Sequence, residues 1–188
     1  MPETRDWGAM REMSIRLLTE RTGEGLDAWN RRVEAQGFVD EAALRKWLSG
    51  QGVTGYAQTL LVMKRVGYPA FLVASADELI DGQYADRPAL RPIFDAVIDA
   101  AAGLGQVVVQ ARKMYVSLMT PRRTFARIAP TTRDRVDLAL RLDGGKPSGR
   151  LVPSRVHETM PVQISLRSLS EVDAQVLEWL QKAYEESC

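Results

Sequence analysis

Cysteine is nearly absent: Cys188, the last of 188 residues, is the single one. One thiol cannot close an internal disulfide, so a packed core must hold the fold, and such usage is expected of a reducing, cytoplasmic compartment. Histidine is as scarce, with His157 alone. One histidine and one distant cysteine do not assemble the usual metal set, and neither a metal nor a cofactor is expected. Long apolar runs are missing too. The longest, around Ala70–Ala74 and Ala96–Leu104, fall far short of the ~20 residues of a membrane span. Residues 1–11 carry Glu3, Arg5, Asp6 and Arg11 and no apolar run of signal-peptide length, so neither secretion nor membrane insertion is expected. What is present, 45% hydrophobic and 26% charged residues, is the balance of a globular chain.

The first seventy residues have helical spacing. Met10, Met13, Leu17 and Leu18 form one stripe, and Leu26, Trp29 and Val33 a second. Asp40 is placed to cap a third helix with Leu44, Trp47 and Leu48, and Thr54 to open a fourth with Ala57, Leu60 and Leu61. Gly23, Gly37, Gly50, Gly52 and Gly67 punctuate the series as C-terminal caps. Trp29 and Trp47 belong to the core on this spacing, whereas Trp7 precedes the first stripe as a surface or docking residue. Ser75 with Glu78 makes a capping box for a helix over Ala76–Gln83. The polar segment Gln83–Pro88 sets the domain boundary, giving a helical module at 1–86 and a second module at 87–188. A helix with Leu90, Ile93, Phe94, Val97, Ile98 and Ala101 opens the latter.

Beyond Gly105 the period changes to two. Val107–Ala111, the alternation through Met114, Val116 and Leu118, Phe125–Ile128, Arg135–Leu142, and the run Val162, Ile164, Leu166 predict strands. In the clearest, Val136, Leu138, Leu140 and Leu142 face a core while Arg135, Asp137, Ala139 and Arg141 face water or a partner. Asp143–Met160 is expected to be a long loop, and Ser170 with Asp173 to cap a final helix through Val176 and Leu180. The fold class expected is α+β: an all-helical N-terminal module, then a mainly antiparallel sheet of about five strands with two helices on one face. The same change of period predicts no strand within 1–86.

Several stretches resemble a bacterial family. Lys113-Met114-Tyr115-Val116-Ser117-Leu118, the run Arg133–Leu140, Gly149-Arg150-Leu151, and Ser170–Asp173 followed by Trp179-Leu180 and Ala183-Tyr184 resemble domain of unknown function 5655. Thr22-Gly23, Trp29 and Ala43–Leu48 resemble domain of unknown function 4287, which commonly precedes it. Related sequences often carry Cys or His before the last strand, where this chain has Met160-Pro161-Val162-Gln163, so a role resting on such side chains would be absent. The resemblance implies a cytoplasmic two-domain protein and no established activity.

Few residues point to chemistry. His157 reads as a loop histidine and Cys188 as a terminal thiol. Asp143-Gly144-Gly145-Lys146-Pro147-Ser148-Gly149-Arg150 misses the phosphate-loop spacing and reads as a turn-rich connection. No catalytic residue is assigned. Charge exceeds background: residues 1–86 hold 10 Lys/Arg against 13 Asp/Glu, residues 87–188 hold 15 against 11, and the window 112–155 holds eleven against three. Lys113, Tyr115, Arg127, Arg135 and Arg141 are the anion-binding candidates, with the register of Arg127 unassigned. Arg135 and Arg141 lie roughly 20 Å apart along one strand. That span suits a nucleic acid or other extended anion, and a basic sheet face with an aromatic is the layout of single-strand platforms. The bland alternative is that these arginines are solvated or pair with the acidic N-terminal half, closing an interdomain contact. Two further alternatives are an enzyme or small-molecule site between the halves, using Tyr115, Arg135, Asp137 and Arg141, and a protein-interaction adaptor.

Overall fold

A computed structural model describes residues 3–5, 7–69 and 74–188, with residues 3–5 and Trp7 described by backbone alone. The expectation for the Trp7 side chain and the apolar run at 70–73 therefore lie outside what is described. The chain divides into two compact units, one of residues 6–74 and one of residues 1–5 with 75–188.

The described residues of the first unit form four helices: α1 (Trp7–Thr22), α2 (Leu26–Ala35), α3 (Glu41–Gly50) and α4 (Gly55–Val66). Asp40 caps α3 by accepting the Ala43 amide at 2.7 Å. Gly23, Gly37, Gly52 and Gly67, just beyond the four helices, all have positive φ, which releases the chain from the helix at little cost. Leu18, Trp29, Val33, Leu44, Leu48, Leu61 and their neighbours form the core, with Trp47 packed edge-on against Trp29 at 6.1 Å between ring centres. The α1 stripe differs from the predicted one. Met10, Ser14 and Leu18 are buried and Met13 is exposed. Ser14 is tolerated inside because its hydroxyl donates to the Met10 carbonyl at 2.7 Å.

The second unit is built on a seven-stranded sheet. Its strands are β1 (Glu3–Arg5), β2 (Val108–Ala111), β3 (Val116–Met119), β4 (Thr124–Ala129), β5 (Val136–Leu140), β6 (Val152–His157) and β7 (Met160–Leu166), in the order β1-β2-β3-β4-β5-β7-β6. Six strands run antiparallel, and β1 pairs parallel with β2. The α+β architecture is as the periodicity predicts. Strand β1, however, lies where that periodicity predicts none; three residues are too few to show alternation. Strand β6 occupies the expected long loop. It is an exposed edge strand with Pro153 and a register shift between Pro153 and His157, so no alternation marks it.

Three helices complete this unit: α5 (Ala76–Tyr84), α6 (Arg91–Ala102) and α7 (Ala174–Glu185). The Ser75/Glu78 capping box opens α5. Asp173 alone caps α7, accepting the Val176 amide at 3.1 Å, while Ser170 lies in a preceding single turn of 3-10 helix. Helix α5 packs on β2, α7 packs on β4 and β5, and α6 packs on α7. The register aligns Val116, Ile128, Leu138 and Ile164 across the face under these helices, all buried. Among the described residues no helix is long and apolar enough to cross a membrane.

Candidate functional site

The opposite face of the sheet carries the polar residues. Strand register aligns Gln110, Ser117, Arg127, Ala139 and Gln163 in one row across five strands. A register shift beside Leu118 and Met119 breaks the β3–β4 ladder, with Ala126 opposite Leu118 and Thr124 opposite Met119. Phe125, the extra residue, is fully buried and meets Tyr184 of α7 edge-on at 5.4 Å. Thr124 lies with Arg127 instead. A bulge of this kind re-aims side chains, and here it keeps an aromatic in the core while giving the polar face a hydroxyl.

That face holds an open cavity of about 280 Å³. Its walls come from β2, β3, β4, the residue following β5, and the turn between β6 and β7. Strands from both sides of the sheet thus meet around one concavity, so the sheet curls over this face. Arg112, Arg127 and Arg141 line it, and among the described residues no Asp or Glu does.

The Arg127 guanidinium lies over the Tyr115 ring, 3.3 Å from its centre. Its Nε is buried without a hydrogen-bond partner, and among the described residues Arg127 makes no ion pair. Burial pushes its pKa below the ordinary value, and Tyr115 acts in the opposite direction. An arginine so shifted still carries its charge at neutral pH. Arg141 donates from Nε to the Thr124 carbonyl at 2.8 Å, which fixes its stem beside the bulge. It too makes no ion pair among the described residues. Arg112 donates to the Gln110 side-chain oxygen at 3.0 Å, and its own carbonyl accepts from Gln83 at 2.7 Å.

His157 closes the β6–β7 side. Its Nδ1 accepts the Thr159 amide at 3.2 Å and lies 2.8 Å from the Thr159 hydroxyl. An accepting Nδ1 places the neutral ring's proton on Nε2, leaving that nitrogen a donor.

Residues 80–187, more than half the chain, match the family model for Domain of unknown function (DUF5655). The chain belongs to the DUF5655 family. No curated protein and no solved structure matches it. The match to DUF5655 does not reach residues 1–79, where the resemblance to domain of unknown function 4287 rests on sequence motifs alone. The whole cavity lies inside the DUF5655 region.

Of the five candidates read from the sequence, the DUF5655 fold brings Tyr115, Arg127 and Arg141 together at the cavity. Lys113 and Arg135 are not in its lining. Arg135 instead contacts Asp137 at 3.3 Å, and Asp137 also accepts the Ser165 hydroxyl at 2.6 Å. Asp137 and Ala139, expected to face water or a partner, are buried at 5% and 1% exposure. The curl of the sheet, together with Arg127 and Gln163 flanking Ala139 by register, removes them from solvent. Other arginines of the basic window are taken up within the unit, Arg123 by Asp143 and Arg150 by Asp173. Alternation alone could have found Ser117 and Gln110, which share the polar phase of their strands. Nothing in the pattern marked His157, since β6 has no readable period. Among the described residues no group of three or more His, Cys, Asp or Glu could hold a metal ion.

Proposed function

We propose that the DUF5655 domain of this chain binds a compact anion in the sheet-face cavity, with Arg127 and Arg141 as its principal cationic contacts. The observation that carries this reading is Arg127: a partly desolvated guanidinium with no carboxylate beside it among the described residues. A buried charge without a partner is costly, and a bound phosphate or carboxylate supplies the partner. Arg112 lies in the same lining, whose described residues include no acidic side chain.

The geometry supports a compact anion over an extended strand. Arg135, the far end of the expected row, is engaged by Asp137. One face of Tyr115, the aromatic a base would stack on, is occupied by Arg127. The scarcity of cysteine supports a cytoplasmic setting, and the motifs at Thr22-Gly23 and Ala43–Leu48 support kinship of the helical unit with domain of unknown function 4287.

Thermal melts in phosphate and citrate, matched in ionic strength with chloride, test the reading. The melting temperature rises with either anion in the parent protein. Arg127→Gln loses that response while keeping its far-ultraviolet spectrum. Hydrogen bonds to charged groups are worth roughly 1.5–3 kcal/mol, so the affinity falls about tenfold to a hundredfold. No response to any anion, or an equal response in Arg127→Gln and Arg141→Gln, would overturn it.

A further inference from the structure

The cavity is larger than its charge alone requires. At about 280 Å³ it lies near the small end of the sites that hold whole organic molecules, roughly 300–1,000 Å³. A bare tetrahedral anion, which displaces on the order of two or three water volumes of ~30 Å³, would leave most of it filled with solvent. The remaining wall shows what else it fits. Ser117, Thr124 and Thr159 bring hydroxyls and Gln110 an amide, with apolar surface from Met160 and the Tyr115 ring. Hydroxyl and amide groups both donate and accept, which suits a ligand rich in hydroxyls. His157 adds a donor at Nε2, because its Nδ1 accepts from Thr159. A flat base would find one face of the Tyr115 ring already covered by Arg127.

Resting on the anion reading above, we infer that the ligand is a phosphomonoester of a small sugar or polyol, of up to about six carbons. The phosphate meets Arg127 and Arg141, and the sugar hydroxyls meet the Ser117 and Thr124 side. Two guanidinium groups without carboxylate partners among the described residues match a dianion better than a monoanion.

Isothermal titration of the full chain tests this, with inorganic phosphate, ribose 5-phosphate, glucose 6-phosphate, glucose and adenosine 5′-monophosphate as titrants. The sugar phosphates bind at least tenfold more tightly than inorganic phosphate. Glucose shows no binding, and the nucleotide binds no more tightly than ribose 5-phosphate. Thr124→Val, which keeps the side-chain shape and the backbone carbonyl beside the bulge, loses the preference for sugar phosphates yet still binds inorganic phosphate. Sugar phosphates no tighter than inorganic phosphate would sink the inference and leave the anion reading standing. A nucleotide tenfold tighter than ribose 5-phosphate would overturn it in favour of base recognition. Absence of binding by every anion would remove the anion reading itself.

Discussion

Arg127 carries its charge against the ring of Tyr115 rather than against a carboxylate, and its neighbours explain how that is tolerated. Across the ladder it faces Ser117 on one side and Ala139 on the other. The small Ala139 leaves space for the guanidinium, and a carboxylate there would give it an internal partner, since cross-strand Cβ atoms sit about 4.5–5.5 Å apart. Ala139→Asp is therefore expected to fold and to lose anion affinity. Leu138→Asp, one residue away on the helix-covered face, is expected to be severely destabilised. Leu138 is fully buried among apolar side chains, and an unpaired carboxylate costs several kcal/mol there, ~4 or more. Urea denaturation compares the two variants, and a loss in Ala139→Asp as large as that in Leu138→Asp would contradict the assignment of faces. The alternation of Arg135–Leu142 made this pair of faces legible in the sequence. Arg127 was not legible to the same degree, because the bulge at Phe125 breaks the period on which its face depends.

Elements differ in how plainly they announce themselves. Helices with caps and sustained stripes were readable: the Ser75/Glu78 box and Asp40 do what their spacing implies. Strands β1 and β6 were not, the first for its three residues and the second for Pro153 and its exposure on the sheet edge. Helix α7 depends on two local devices that can be tested. Accepting the Val176 amide, with Arg150 beside it, holds the Asp173 carboxyl below the usual carboxylate range despite an opposing contribution from desolvation. A depressed folded-state pKa stabilises above the unfolded value, and that stability is lost as pH falls through the folded one. The stability gap between the parent and Asp173→Ala is thus full near neutral pH and closes progressively below pH ~4. A gap independent of pH would show that the carboxylate is not the source. The second device is Gly105, with φ +141°, where an added Cβ would lie 2.5 Å from the Tyr184 hydroxyl. Gly105→Ala must strain its backbone or displace Tyr184 from Phe125, and is expected to cost about 1–3 kcal/mol in chemical denaturation.

At the scale of the molecule, the charge asymmetry seen in the sequence resolves into two populations of arginine. Arg123, Arg135 and Arg150 pair with Asp143, Asp137 and Asp173 of the same unit. Arg127 and Arg141 have no such partner among the described residues and share one cavity. Composition could count these arginines but could not separate the two groups, because the pairing depends on strand order and curl. Hydrogen exchange with and without a bound anion should show protection gained in β2–β4 and in the β6–β7 turn. Gains confined to other segments would place the ligand elsewhere. The most direct test follows the arginine side-chain Nε–H signals of the full chain during titration with phosphate, with Arg127→Gln and Arg141→Gln used to assign them. The account predicts that the Arg127 and Arg141 signals move together along one saturating curve, while that of Arg150, held by Asp173, stays in place. Signals at Arg127 and Arg141 that stay fixed while phosphate saturates other arginines would contradict it.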